Sequence, residues 1–179
     1  MTPQELVGRG LSPEVAVFIT SMLPIVELRG ALPLAINLYH IPWLKACIIA
    51  YVGNLVPVPF ILLLLKPVVA LLSRIKPIGK FFTWLFKRTR AKSSTVIEKY
   101  EEIGLLIFVA IPLPGTGAWT GALIAFLFGL DFKKSMLVIA LGVLIAGIIV
   151  TCLCLLGWIG ALIAGLGFIL LFALGFWKL

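Results

Sequence analysis

Two ionisable residues, Glu27 and Arg29, lie inside an otherwise apolar run, SMLPIVELRGALPLAI. Ionisable side chains at membrane depth are costly, so they usually face a cavity or a partner and mark an ion or substrate path. A buried glutamate can carry a proton, and an arginine can hold a phosphate or pair with the glutamate. Residues two apart do not face each other on a helix, but a hairpin turn need not be helical. We therefore predict an ion or substrate site here, with a structural ion pair as the alternative.

A second candidate site is the glycine-rich stretch IPLPGTGAWTG. Gly115, Thr116 and Gly117 can expose backbone N–H groups, and a helix that begins near Trp119 would direct its positive dipole end toward them. Such a turn suits an anion such as phosphate. A glycine turn needed only for close packing is the alternative.

Asn54 is a third candidate, because it is a polar residue inside the apolar run VGNLVPVPF. Pro57 and Pro59 should bend a helix at this point. Asn54 then either lines the same cavity as the two turns or bonds a carbonyl freed by the bend.

Enzymatic chemistry is not predicted. His40 is the only histidine, and the sequence has no intramembrane carboxylate pair, no nucleophile beside a base and no metal-ligand cluster. The three cysteines, Cys47, Cys152 and Cys154, fall in apolar segments, as is typical of small buried side chains. We therefore expect no catalytic residues, no metal and no cofactor.

The composition indicates an integral membrane protein. The chain is 62% hydrophobic and 12% charged, with a mean hydropathy of +1.20, whereas soluble domains are roughly 45–50% apolar and about a quarter charged. The net charge of +8 does not indicate nucleic acid, because nine of the fifteen Lys and Arg residues lie between residues 66 and 99. A basic loop between apolar spans is typical of the cytoplasmic face of an inner membrane.

Five apolar segments are long enough to cross a bilayer, and two of them contain helix breakers. The segments are 15–38, 42–65, 103–130, 134–156 and 158–177. The breakers are Pro24, Gly30 and Pro33 in the first segment and Pro112, Pro114 and Gly121 in the third. Each set leaves two arms of about ten residues, or roughly half a bilayer. A re-entrant hairpin and a kinked crossing helix both fit this spacing.

The positions of the lysines favour re-entrant hairpins. With residues 66–102 inside, two hairpins return Lys133, Lys134 and Lys178 to the same side, as the positive-inside rule prefers. Two full crossings would place all three lysines outside.

The two halves of the chain resemble each other at a shift of 88 or 89 residues. Pro24 aligns with Pro112 at the first shift, and Lys45 and Gly53 align with Lys134 and Gly142 at the second. Because the halves would enter from opposite faces, they form an inverted repeat, in which transporters bind substrate where the halves meet.

We therefore predict one all-α membrane domain, 1–179, in which each repeat is a re-entrant hairpin followed by a transmembrane helix. The parts are a first repeat 1–65 (hairpin about 13–38, span 42–65), a basic loop 66–102 with an interfacial helix at 78–92, a second repeat 103–156 (hairpin 103–130, span 134–156) and an extra C-terminal span 158–177. The interfacial helix would contact anionic lipid headgroups. In the last span, Gly157, Ala161 and Gly165 suit close packing, either within the monomer or in a homo-oligomer.

The motifs VELRGALPLAI and IPLPGTGAWTGALIA resemble the small multi-drug export protein family, over roughly residues 10 to 160. That family is similar in layout to the DedA/VTT superfamily of re-entrant-hairpin proteins. The resemblance implies paired hairpins and transport, either of drugs or of lipid-linked phosphates such as polyprenyl phosphate, with proton or sodium coupling. Glu27 fits the acidic position of the first DedA hairpin. The arginines around the second hairpin's Pro-Gly are absent, since Ile111 and Gly117 flank Pro114-Gly115.

These observations predict a transporter or flippase for an amphipathic anion such as a lipid-linked phosphate. Glu27 would be the proton or cation site, and Arg29 with the Gly115–Gly117 amides would bind the anion where the hairpin turns meet. An exporter of cationic drugs is one alternative; it would have a carboxylate facing an aromatic cavity and Arg29 turned away from Glu27. A structural or assembly factor of the membrane is the other.

Overall fold

A computed structural model describes residues 10–75, 80, 95–113 and 115–177, and this part of the chain is all-helical, as predicted. The helices, in chain order, are α1 (Pro13–Met22), α2 (Glu27–Pro33), which continues as a π-helical turn (Leu34–Leu38), α3 (Trp43–Leu55), α4 (Pro57–Leu72), α5 (Thr95–Ala110), α6 (Ala118–Phe128), α7 (Phe132–Leu155) and α8 (Trp158–Trp177).

Helices α1 and α2 form the first helical hairpin. Helix α1 begins at Pro13, after Ser12, whose side chain accepts a hydrogen bond from the Val15 N–H. It ends before Pro24, which lacks the N–H that another turn would require. Helix α2 then packs back against α1, and so does the π-helical turn. The segment predicted as a hairpin at about 13–38 is thus two arms joined by residues 23–26.

Two of the residues predicted as breakers in this segment, Gly30 and Pro33, lie within α2 instead. Pro33 has no N–H to bond the carbonyl four residues back, and the α-helix changes to the π-helical turn directly after it. In that turn the Tyr39 N–H bonds the Leu34 carbonyl, five residues back, at 2.9 Å.

Helices α5 and α6 form the second helical hairpin, which overlaps the predicted range 103–130 but begins eight residues earlier, at Thr95. The helices are in contact, and residues 111–117 separate them. Pro112 lies in this irregular stretch, and Pro114 is outside the described residues. Gly121, predicted as a breaker, is inside α6. A Cβ atom at Gly121 would lie 2.6 Å from Val109 Cγ2, so this glycine permits close packing of the two arms.

Within the described residues, two helical stretches are long and apolar enough to cross a membrane: Trp43–Leu72, which comprises α3 and α4, and Phe132–Leu155, which is α7. Helix α8, Trp158–Trp177, has the bounds predicted for the last span. Helix α4 continues seven residues beyond the predicted end of its span, through Lys66 and Pro67. Helix α5 likewise begins at Thr95, so helices occupy both ends of the predicted loop 66–102. The predicted interfacial helix 78–92 lies, apart from Lys80, outside the described residues.

The chain divides into two compact units, Met1–Gly53 with Ile145–Leu179, and Asn54–Leu144. The first has a core of small and aliphatic residues that includes Ala16, Val17, Leu28, Ala31 and Leu32. The second has a similar core that includes Leu105, Val109, Ala118, Ala122 and Ile139.

Large apolar side chains cover the outside of the long helices. Phe60, Leu63, Leu137 and Ile148 are each more than half exposed. A soluble monomer rarely exposes such an extent of contiguous apolar surface, whereas lipid tails solvate it at no cost. The exposed surface therefore agrees with a membrane protein.

Candidate functional site

The side chains of Glu27 and Arg29 meet at the turn of the first hairpin. Arg29 Nη1 donates a hydrogen bond to Glu27 Oε2 at 2.6 Å. Glu27 has a φ of +51°, in the left-handed region, although it is the first residue of α2. This conformation costs a non-glycine residue roughly 1–2 kcal/mol. It redirects the Glu27 side chain, so that Glu27 can pair with Arg29 although the two residues are only two positions apart.

This ion pair is largely removed from solvent. The Glu27 side chain is 5% exposed and that of Arg29 is 13% exposed. A buried pair with good geometry is neutral as a whole, while either charge alone would be strongly destabilising. The arrangement fits both predicted interpretations, a transport site and a structural pair. It differs from the one expected for a cation exporter, in which Arg29 turns away from Glu27.

The glycine-rich turn of the second hairpin uses its threonine internally. The Thr116 hydroxyl lies within hydrogen-bond distance of the Ile111 and Leu113 carbonyl oxygens, at 2.7 and 2.9 Å. Gly115 has a φ of +82°, which permits the reversal of the chain, and Gly117 is the N-cap of α6. In this conformation Thr116 satisfies carbonyls freed at the end of α5. The Thr116 N–H also bonds the Leu113 carbonyl, at 3.3 Å, and α6 begins directly after the turn.

Asn54 lies near the end of α3 and is 1% exposed. Its Oδ1 has no hydrogen-bond partner among the residues that the structure describes, and the same holds for Oγ1 of the buried Thr151. A buried acceptor without a partner is destabilising and calls for an explanation, such as a bound water or ion. Thr151 was not predicted, because a lone threonine in an apolar helix produces no pattern in the sequence.

One further ion pair joins each hairpin to the helix that follows it. Lys45 Nζ lies 3.0 Å from Glu14 Oε1, and Lys134 Nζ lies 2.9 Å from Glu102 Oε1. The hydrogen bond from Lys45 lowers the pKa of the Glu14 carboxyl. These pairs were not predicted, because the two residues of each pair are more than thirty positions apart in the sequence.

Two glycines make matching contacts with the first arms of the hairpins. A Cβ atom at Gly53 would clash with Ser21 Oγ and would lie 2.7 Å from the Phe18 carbonyl oxygen. A Cβ atom at Gly142 would lie 2.7 Å from Val109 Cβ and 3.2 Å from the Leu106 carbonyl oxygen. Both glycines therefore allow a long helix to approach a hairpin arm closely.

The unit Asn54–Leu144 contains two cavities that the sequence did not predict, because helix packing brings their walls together. One, of about 460 Å³, is lined by Glu101, Gly104, Leu105, Phe108, Ile124 and Phe128. The other, of about 340 Å³, is lined by Lys66, Phe128, Gly129, Leu130, Asp131, Phe132 and Lys134. Across the described parts of the chain, no cluster of three or more His, Cys, Asp or Glu residues could hold a metal ion.

The comparisons with known proteins give one family. Residues 27–149, more than half of the chain, match the family described as "Putative small multi-drug export protein". No curated protein and no solved structure matches. The matched region begins at Glu27 and includes Arg29, Asn54, the glycine-rich turn of the second hairpin and most of α7. The chain therefore belongs to the small multi-drug export protein family.

Proposed function

We propose that this protein is a transporter of the inner membrane that exports small amphipathic molecules, and that Glu27 and Arg29 form its charged site. The observation that carries the proposal is their buried ion pair at a hairpin turn in a strongly apolar chain. Ionisable pairs in such surroundings are typical of ion and substrate paths. Coupling to protons or sodium would act at Glu27.

The ion pairs at the ends of the hairpins support re-entrance into the membrane. A segment that crosses the bilayer fully has its two ends about 30 Å apart. Residues 102 and 134, at the two ends of the second hairpin, are instead joined by a contact of 2.9 Å, and residues 14 and 45 of the first by one of 3.0 Å. This geometry favours chains that enter and leave on one face.

The same contacts support an internal repeat. A shift of 88 residues relates Glu14 to Glu102, Phe18 to Leu106 and Ser21 to Val109. A shift of 89 relates their partners, Lys45 to Lys134 and Gly53 to Gly142. Both the ion pair and the glycine contact thus recur at corresponding positions.

The orientation of the repeat follows from the span 42–65, which would carry the chain across the bilayer. The two hairpins then open toward opposite faces, as in inverted-repeat transporters. The basic segment 66–102 would lie at the cytoplasmic face.

A charged substrate can take the place of one member of the ion pair. A cationic substrate or a proton can replace Arg29 as the partner of Glu27, and an anionic substrate can replace Glu27 as the partner of Arg29. The family description favours drugs as the exported molecules. A lipid-linked phosphate, such as polyprenyl phosphate, is the second candidate, and it is supported by Arg29 and by the positive dipole end of α6.

Transport in liposomes tests the proposal. The purified protein is compared with Glu27→Gln, Arg29→Gln and the double variant, with ethidium efflux and flipping of a labelled polyprenyl phosphate as the two readouts. We expect wild-type flux of one substrate and none in the double variant, which loses both charges but leaves no charge buried alone. Wild-type flux in a folded double variant would instead assign the pair a structural role, and an inactive wild type would favour an assembly factor.

A further inference from the structure

We propose that the two cavities of the unit Asn54–Leu144 together bind one membrane phospholipid whose zwitterionic headgroup carries a phosphate and a primary ammonium group, as in phosphatidylethanolamine. Lys66 binds the phosphate, Asp131 binds the ammonium group, and the apolar cavity holds part of an acyl chain. Cavities of about 340 and 460 Å³ are within the range of small-molecule sites, about 300–1,000 Å³. This lipid site is separate from Glu27 and Arg29 and does not depend on the proposed export function.

The two cavities adjoin at Phe128, which lines both of them. The smaller cavity is polar, with Lys66 from α4 and with Asp131 and Lys134 from the start of α7. The larger cavity lies between α5 and α6, and apart from Glu101, which is not part of the proposed site, its lining is apolar. A charged cavity beside an apolar one matches the amphipathic structure of a lipid.

The charges of the smaller cavity determine which headgroup it suits. Lys134 is paired with Glu102, at 2.9 Å, so this lysine adds no net charge. Lys66 is exposed and makes no ion pair with the residues that the structure describes. Asp131 Oδ2 accepts a hydrogen bond from the Lys133 N–H, at 3.0 Å, which leaves Oδ1 for a ligand. One ammonium and one carboxylate thus complement a zwitterion better than a purely anionic headgroup.

The charged groups also lie at a suitable depth. Lys66 directly follows the apolar run 42–65, and Asp131 directly precedes the apolar helix α7. Helix α4 packs against α6, which brings Lys66 to the turn that follows α6. Charged side chains at the ends of apolar helices extend to the membrane interface, where the headgroups of lipids are.

The apolar cavity extends away from these charges along α5. It begins at Glu101, beside the pair of Glu102 and Lys134, and reaches Phe108, which is seven residues or about 10 Å further along the helix. Gly104, which also lines the cavity, is exposed, so the cavity is open to the outside of the protein. An acyl chain can therefore enter it from the side while the headgroup stays at the interface.

Lipid binding to the purified full-length protein, measured by native mass spectrometry, tests the proposed site. Three lipids with identical acyl chains are compared: phosphatidylethanolamine, phosphatidylcholine, whose trimethylammonium group donates no N–H hydrogen bonds, and phosphatidylglycerol, which is anionic. We expect phosphatidylethanolamine to bind at least about fivefold more tightly than either of the others. Glycerophosphoethanolamine, the same headgroup without acyl chains, should compete only at concentrations at least about tenfold higher than the lipid.

Two charge variants should change the selectivity in different ways. Lys66→Gln removes the partner of the phosphate and should weaken the binding of all three lipids, by about tenfold for phosphatidylethanolamine. Asp131→Asn preserves the cap of α7, since Asn and Asp cap helices equally well. It should abolish the preference for phosphatidylethanolamine over phosphatidylcholine and strengthen the binding of phosphatidylglycerol. The matched control is Lys133→Gln, a lysine of the same turn outside the described lining, with an expected effect below about threefold.

A third variant tests the apolar cavity without a change of charge. A Cβ atom at Gly104 would meet nothing within 4 Å, so Gly104→Leu fills the cavity without a clash. Leucine also favours a helix more than glycine does, so the variant should fold. We expect Gly104→Leu to weaken the binding of the lipids by about tenfold and to leave the affinity for glycerophosphoethanolamine unchanged.

Each part of the assignment can be contradicted separately. Phosphatidylethanolamine that binds no more tightly than the other two lipids would overturn the zwitterionic headgroup. Equal effects of Lys66→Gln and Lys133→Gln would show that the headgroup does not bind in the smaller cavity. Unchanged lipid binding in Gly104→Leu, or a soluble headgroup that binds as tightly as the lipid, would contradict a lipid as the ligand. None of these measurements requires transport, so a failed export assay leaves them intact.

Discussion

Lys134 Nζ lies 2.9 Å from Glu102 Oε1, and this contact joins the two ends of the second helical hairpin. Lys45 and Glu14 make the corresponding contact, of 3.0 Å, in the first. All four side chains are at least a quarter exposed, and exposed ion pairs contribute only about 0–1 kcal/mol each. These pairs are therefore informative about the path of the chain and contribute little to its stability.

The first prediction concerns the faces of the membrane. In a variant without the native cysteines, single cysteines at positions 102 and 134 should react with a membrane-impermeant thiol reagent from one and the same face. Cysteines at positions 14 and 45 should react from the other face if the chain forms the proposed inverted repeat. Labelling of positions 102 and 134 from opposite faces would mean that residues 103–130 cross the bilayer.

The second prediction concerns the stability of the pair at the first turn. Glu27→Gln and Arg29→Gln should each lower the free energy of unfolding by about 3–5 kcal/mol, because each leaves a buried charge without its partner. The double variant should lie within about 1 kcal/mol of wild type. Denaturant unfolding in detergent measures these values, with Lys45→Gln as the exposed control at about 1 kcal/mol or less. Additive losses in the double variant would contradict this account.

The third prediction concerns the glycines that contact the hairpin arms. Gly53→Ala and Gly142→Ala should each destabilise the fold by about 1–3 kcal/mol, since a Cβ atom at either position overlaps a neighbouring helix. The matched control is Gly104→Ala, whose Cβ atom would meet nothing within 4 Å. This variant should gain up to about 1 kcal/mol from helix propensity. Thermal unfolding of the three variants compares them, and equal effects would argue against the close contacts.

The fourth prediction concerns pH. The hydrogen bond and charge of Lys45 lower the pKa of Glu14 in the folded protein, so the contribution of this pair is present above the unfolded pKa and is lost as pH falls through the folded one. Lys45→Gln should therefore raise the pH at which the Glu14 carboxyl protonates. Infrared titration of the carboxylates, with Glu14→Gln to identify the signal, measures this pH. An unchanged titration would show that the pair does not form.

Much of the helical framework followed from simple features of the sequence. Spans were predicted from the lengths of apolar runs, and α8 has the predicted bounds. The first hairpin divides near Pro24, where a helix loses a required donor. Such local rules succeed because they depend only on the chain itself.

Other features depended on packing and could not be predicted. Gly30 and Gly121 were predicted to break helices, but each remains helical, and Gly121 is needed where α6 approaches Val109. The left-handed conformation of Glu27 cannot be recognised in the sequence, and it is the reason that Glu27 contacts Arg29. The cavity at Glu101 exists only once α5 and α6 are paired.

The short first arm of the first hairpin has an electrical consequence. Helix α1 has ten residues and is about 15 Å long, so the proposed re-entrant arrangement puts the turn at its end about halfway through a hydrocarbon core of roughly 30 Å. A unit charge that reaches this depth crosses about half of the membrane potential, or about 1.2 kcal/mol for every 100 mV. The neutral Glu27–Arg29 pair is insensitive to voltage, whereas a proton or cation that separates the pair brings a net charge into the field. Export that uses this turn should therefore depend on membrane potential, even when the chemical gradient is held constant.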